Sequence, residues 1–338
     1  MVILTRAVRS ALGFGAERLA RNDWLMGIVY DLINGEQFST LGHHEEMLAD
    51  TVRVEAYRQG ITNAVGDGDV VVDLGTGTGL LAFMASNAGA SKVYAVEHAD
   101  VIRLAKDVGT QNGFRNIEYV QMNSREFTVS DKVDVVVHEQ LNDELFGENM
   151  IENLLDLRDR VLRSGGKIVP GRFQLFVEPV QLHEQHRVPH IWDMNLGEGL
   201  DYTGLAGSPF VEGAAQSLDE GSEHFFLRRG AVDRVLAEPA PVLDFDLMTL
   251  SSGKDLERSH LCDRVISTDG TLDGFCVWFE AIFDEDVRLN TSPLLAPTSW
   301  GNRLLRVPQQ QVTAGETVSW SLELRQLNDA STWRARLT

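Results

Sequence analysis

Val71-Val72-Asp73-Leu74-Gly75-Thr76-Gly77-Thr78-Gly79 is a β-branched run that gives way to alternating glycines. Such a run reads as a buried strand of a parallel sheet. Glycines directly after it let the backbone turn tightly and approach a ligand closely. A second apolar run, Val93-Tyr94-Ala95-Val96, follows and ends on Glu97. An acidic residue closing the next strand can accept both hydroxyls of a ribose. The spacing G-x-G-x-G, with Asp73 two residues ahead, differs from the G-x-G-x-x-G that cradles a pyrophosphate. With Ala88-Gly89-Ala90 after it, it fits a cofactor without phosphate. S-adenosylmethionine is such a cofactor, and the glycines would admit its methionine part and ribose. The plainer alternative is a tight strand–helix turn in some other α/β domain.

Around this stretch lie strand and helix patterns in alternation, at 69–74, 80–88, 92–97, 101–112, 117–121, 133–138, 150–163 and 167–170. That alternation marks a parallel, doubly wound sheet. A helical pattern at 43–60 precedes it, with apolar positions at Met47, Val52 and Tyr57, and residues 1–36 read as a helical segment. Val169-Pro170-Gly171 is a breaker and sets a boundary. Beyond it the runs are short and alternating, at 173–180, 225–229, 242–249, 274–283, 303–307 and 317–325, which is an antiparallel β pattern. Residues 184–224 interrupt it with Trp192, Tyr202, glycines and acids, and show no clear period. An insertion without a core of its own usually binds something or reaches a partner. Three parts are therefore expected: 1–36, 37–170 and 171–338.

A length of 338 residues suits two domains, and 43% hydrophobic residues is ordinary for a globular protein. No apolar run reaches the ~18 residues of a membrane span. Met1 to Ala20 mixes apolar residues with Arg6, Arg9, Glu17 and Arg18, unlike a signal peptide, so a cytoplasmic location is expected, with no membrane partner. Cys262 and Cys276 form no metal or redox motif, and His43-His44-Glu45-Glu46 is not H-E-x-x-H, so no metal is expected. A formal net charge of −20 would repel nucleic acid and weakly favours a cationic substrate.

The strand Val133-Asp134-Val135-Val136-Val137-His138 ends on Glu139, and the loop after it carries Glu148. In open α/β sheets ligands bind beyond the carboxyl ends of the strands, which places this loop at the cofactor's edge. Here the sequence resembles the protein arginine methyltransferase family, whose loop after this strand carries two glutamates spaced as Glu139 and Glu148 are. The family's helix motif His-x-x-Met-Leu-x-Asp-x-x-Arg corresponds to His44, Met47, Leu48, Asp50 and Arg53. Its Thr-His-Trp loop corresponds to Thr298-Ser299-Trp300, preceded by Thr291-Ser292-Pro293. The resemblance is dense from about 42 to 180 and collinear from about 274 to 325. Tyr57-Arg58-Gln59-Gly60-Ile61 and Asp143-Glu144-Leu145 look most like the monomethylating, type III branch.

The resemblance implies an α/β chain: a Rossmann-like class I methyltransferase domain, then an antiparallel β-barrel, with a dimerisation arm near 184–215 and a homodimer. By motif, Arg53 would meet the carboxylate of S-adenosylmethionine, Glu97 its ribose, and Gly75 and Gly77, beside Asp73, its methionine end. Ser124 and Glu126 fall where the family holds adenine. Glu139 and Glu148 would be catalytic, while Met47, Asp50, Met150, Ser299 and Trp300 would line the substrate pocket. The two methionines read equally as core. Three positions depart from the family pattern: Gln140 replaces an aromatic, Phe38 a tyrosine, and Ser299 the histidine of the Thr-His-Trp loop. Serine cannot act as a base, so no histidine relay is expected.

A guanidinium is planar, cationic and never deprotonated in water. Two carboxylates can offset its repulsion from a sulfonium and fix its plane by paired hydrogen bonds. The expected activity is arginine N-methylation. Gln140 and Asn142-Asp143 favour free L-arginine or a small guanidino metabolite, ω-N-monomethylated, and the arginine-rich, lysine-poor composition suggests a bacterial biosynthetic pathway. The alternatives are an Arg-Gly-type peptide as acceptor and a non-catalytic cofactor-binding module. Retention of both glutamates argues against the last.

Overall fold

The computed structural model describes residues 41–338 except 148, 206 and 222. The expected helical segment at 1–36, Phe38 and Glu148 lie outside the described residues.

Two helices open the described chain, α1 (Leu41–Ala49) and α2 (Thr51–Ala64). Asp50 separates them and caps α2, its Oδ1 accepting the Arg53 amide at 3.0 Å. Then come β1 (Val70–Leu74), α3 (Leu80–Asn87), β2 (Lys92–Glu97), α4 (Ile102–Gln111), β3 (Ile117–Gln121), β4 (Val133–His138), α5 (Met150–Arg160) and β5 (Leu162–Val169). The five strands form one parallel sheet in the order β3-β2-β1-β4-β5. β1 sits at its centre, and Val71, Val72 and Leu74 are buried there, which is why this stretch is apolar but for Asp73. The Rossmann-like sheet is as expected. α5 stops at Arg160, and β5 begins earlier than the pattern at 167–170 suggests.

The second part is antiparallel. β6 (Arg172–Leu182) leads to the insertion, which holds α6 (Pro209–Asp219). The remaining strands are β7 (His224–Leu227), β8 (Val232–Val235), β9 (Leu243–Asp246), β10 (Ser259–Val265), β11 (Gly270–Ile282), β12 (Arg288–Asn290), β13 (Asn302–Val312), β14 (Thr317–Glu323) and β15 (Arg334–Leu337). Seven strands build one sheet along β7-β13-β11-β6-β8, with β12 paired to β11 and β9 to β6. β10-β14-β15 form a second sheet, and an Ala237–Ile266 bridge joins the two. Their inner faces share a core in which Phe275 stacks on Trp320 at 4.4 Å. Cys262 and Cys276 are both buried free thiols; burial pushes Cys262 up to about 11 and Cys276 higher still.

The insertion differs from its irregular reading. Ser208 accepts the Val211 amide and Pro209 takes the first helical position, so α6 has both an N-cap and a rigid first residue. Leu196, Leu200 and Phe210 on this insertion are exposed.

The two parts interlock through more than the Pro170-Gly171 connection. On α2, Tyr57 meets Phe283 edge-on at 4.9 Å, and a Cβ on Gly60 would lie 2.6 Å from Phe283 Cγ. Asn63 donates to Asp284 at 2.9 Å.

Candidate active site

The site begins with strand register. Asp73 on β1 lies opposite Ala95 on β2 and Val137 on β4. Side chains alternate faces along a strand, so Glu97 and Glu139, two residues further, project on the same side as Asp73. Three carboxylates thus gather at the carboxyl end of the sheet. Gly75, Gly77 and Gly79 turn between them, with φ of +71°, +53° and +91°, values that L side chains rarely adopt. The ring of His44 lies 3.4 Å from where a Gly77 Cβ would stand.

Each carboxylate is held differently. Asp73 is wholly buried; its Oδ2 accepts from Thr76 Oγ1 at 2.6 Å and from the Ala82 amide at 2.9 Å, while Oδ1 has no hydrogen-bond partner among the described residues. Burial pushes its carboxyl up to about 7; the bonds from Thr76 and Ala82 work against this, and the charges of Glu97 and Glu139 add to it. Glu97 accepts the Gly77 amide at 3.2 Å and the Ala99 amide at 2.9 Å. Burial works to raise its carboxyl, but bonds from His98, Ala99 and Gly77 outweigh that and leave it below the ordinary range. Glu139 faces a cation. Arg53 Nε donates to its Oε1 at 2.5 Å and Nη2 donates to its Oε2, a two-point fork. Burial nevertheless lifts the Glu139 carboxyl above its usual range, with Arg53 pulling against it. For Arg53 burial works against the charge, and Glu139 more than restores it.

A second cluster joins the loop after β4 to the antiparallel part. Asp50 Oδ2 accepts the Ser299 amide at 2.5 Å, so contact with this aspartate is made by backbone, not by a side chain at 299. Trp300 Nε1 donates to Leu141 O at 3.2 Å, and the Gly301 amide donates to Asp143 Oδ1 at 2.7 Å. Arg303 donates to Glu144 Oε1 at 2.5 Å. Sequence reading quoted Glu144 within Asp143-Glu144-Leu145 but missed its pairing with Arg303, because the partners are far apart in the chain and Arg303 belongs to no motif. It read Tyr57 as an apolar helix position and not as a site residue; the buried hydroxyl finds no hydrogen-bond partner among the described residues, and its position one turn after Arg53 was the available signal.

The other expected site residues are placed as follows. Met47 is half-buried, and its carbonyl accepts Arg53 Nη1 at 2.6 Å. Met150 is 1% exposed and belongs to the hydrophobic core, which favours its core reading over a pocket wall. Ser124 and the exposed Glu126 follow β3, beside the Met122 amide that donates to Glu97 O. Ser124 O accepts Arg160 Nη2 at 2.9 Å, so its backbone carries a structural bond.

This donor set fits S-adenosylmethionine. Arg53 offers a cation to a carboxylate, Glu97 an acceptor to a diol, and the glycines leave room for backbone approach. Residues 71–166 match the family model described as a methyltransferase domain. Protein arginine N-methyltransferase 6 of Danio rerio is 31% identical over 284 residues, covering 81% of this chain and 79% of that protein. Protein arginine N-methyltransferase PRMT10 of Oryza sativa subsp. japonica is 26% identical, covering 85% and 81%. Among solved structures, the Trypanosoma brucei PRMT1 enzyme–prozyme heterotetrameric complex with AdoHcy superposes with a TM-score of 0.71 at 26% identity, over 85% of this chain and 88% of that one.

Proposed function

The chain belongs to the protein arginine N-methyltransferase family, and from that premise we propose that its acceptor is the guanidino group of an arginine within a polypeptide. It is an S-adenosylmethionine-dependent arginine N-methyltransferase. S-adenosylmethionine supplies the methyl group on a cationic sulfonium. The fork between Arg53 and Glu139 is the observation that carries the reading: this buried carboxylate already holds one guanidinium in its plane. An acceptor arginine has the same shape and charge. Glu139 and Glu148 together fix the acceptor's plane and keep its positive charge on the nitrogens they bind, leaving one terminal nitrogen to attack. Asp50 caps the helix that presents Arg53 and anchors the Ser299 amide, which sets the distance between α2 and the Ser299-Trp300 turn. Ser299 offers no base, so Glu139 or Glu148 takes the proton.

The relatives' names favour a protein acceptor. Free L-arginine is the second reading, favoured by Gln140 and Asn142-Asp143 in the glutamate loop. The product on either is ω-N-monomethylarginine, on the likeness of 57–61 and 143–145 to the monomethylating branch. Labelled S-adenosylmethionine with an Arg-Gly-rich peptide and, separately, with free L-arginine tests both. Transfer to the peptide alone supports the protein reading, transfer to L-arginine alone the small-substrate reading, and transfer to neither removes the assignment. We further propose that the exposed apolar residues of the 184–215 insertion join two copies of the chain.

A further inference from the structure

We propose that Arg303 is a positioning residue that clamps the glutamate loop from the antiparallel domain, an inference that rests on the arginine methyltransferase reading above. The loop after β4 contains an unfavourable turn. Leu145 adopts φ +81°, which costs a non-glycine residue of order 1–2 kcal/mol, and such a conformation persists only where its surroundings over-determine it. Leu145 is itself wholly buried, so the turn cannot relax outward. Immediately before it stands Glu144, a carboxylate at 4% exposure whose side chain reaches Arg303 Nε and Nη2 at 2.5 Å. Arg303 is the second residue of β13, and its guanidinium lies 4.3 Å from the ring centroid of Phe226, its register partner on β7. The cation is thereby fixed on the sheet side before it meets the loop.

The neighbouring tethers do not duplicate this one. Trp300 and Gly301 bond to Leu141 and Asp143, on the Glu139 side of the turn. Arg303 grips the residue directly against Leu145, between the strand that delivers Glu139 and the start of α5. A buried carboxylate stripped of its cation leaves the site or draws in water, and either response lets the left-handed turn unwind. The glutamate loop then loses its fixed path while the glycine loop and Glu97, on β1 and β2, remain untouched. Removal of Arg303 is therefore expected to separate turnover from cofactor binding.

The test compares native chain, Arg303→Met, Arg303→Lys and the double variant Glu144→Gln/Arg303→Gln, all saturated with adenosylhomocysteine for amide hydrogen exchange. In Arg303→Met, exchange across 140–147 should rise about tenfold or more while 93–97 is unchanged, as a local opening requires. With an Arg-Gly-rich peptide or L-arginine as acceptor, kcat should fall about tenfold or more while adenosylhomocysteine Kd stays within about twofold. Arg303→Lys and the double variant, which keep a charge or a neutral hydrogen-bonded pair, should each recover most of the loss. Unchanged exchange at 140–147 in Arg303→Met would overturn the clamp. So would a kcat loss matched by an equal loss of cofactor affinity, which marks general damage. A native chain inactive on both acceptors would count against the proposed function alone, because exchange scores the clamp separately.

Discussion

At the scale of single residues, chemistry at this site is a matter of which charges are compensated. Glu139→Gln keeps size but removes the charge that faces a guanidinium. Its turnover should fall ~100-fold or more, about 2.7 kcal/mol of transition-state stabilisation, measured by steady-state methyl transfer. Glu97→Ala should weaken adenosylhomocysteine binding by roughly 1.5–3 kcal/mol in calorimetry, the scale of a hydrogen bond to a charged group. His138, on the opposite sheet face from Glu139, supplies a pH dependence of stability. It is wholly buried, its Nε2 donates to Pro170 O at 2.9 Å, and burial pushes its pKa down to about 4 against the bond to Pro170. Because its folded pKa is depressed, its contribution is intact above an unfolded pKa of about 6.5 and is lost as pH falls toward 4. Thermal melts from pH 7 to 4 should show this slope, and His138→Asn should flatten it; an unchanged slope would dismiss the assignment. Sequence made Glu97, Arg53 and Glu139 legible because each closes a strand or fills a motif. His138 was not, since a histidine ending a strand carries no sign of which carbonyl it will meet.

At the scale of elements, α2 is the hinge of the site, because it carries Arg53 on one turn and meets the antiparallel domain on the next. Gly60 gives that approach its closeness. Gly→Ala inside a helix ordinarily gains 0.5–1 kcal/mol, but here the new Cβ would press on Phe283 near its backbone. Gly60→Ala should therefore destabilise by roughly 1–3 kcal/mol in urea unfolding, the cost of overpacking. A variant more stable than native would refute the tight contact. The central parallel strands β1, β2 and β4 were readable because burial on both faces fills them with apolar, β-branched residues. β8, β10, β12 and β15 escaped notice: three are very short, and β10, Ser259–Val265, exposes Leu261 and Val265 on its outer side, so it lacks the polar-out alternation of a half-buried strand. α6 escaped although Ser208-Pro209 announced it, because the glycines before it suggested a loop throughout.

At the scale of the whole molecule, the insertion is the feature that reaches outward. Leu196, Leu200 and Phe210 are exposed at 64, 56 and 83%, more apolar surface than an isolated chain usually offers in one segment. Sedimentation of the full chain at micromolar concentration should show a dimer, and Leu196→Glu/Phe210→Glu should shift it to monomer with reduced turnover. A native chain that sediments as a monomer would refute the arm. Among the described residues no helix is long and apolar enough to cross a membrane. The buried state of the two thiols has a practical corollary. Neither Cys262 nor Cys276 presents a reactive thiolate at neutral pH, so maleimide reagents should pass over the native fold. The natural chain is thus a ready labelling background. A cysteine placed at Leu196 would take a fluorophore alone, and energy transfer between differently dyed copies would time the assembly and exchange of subunits during turnover.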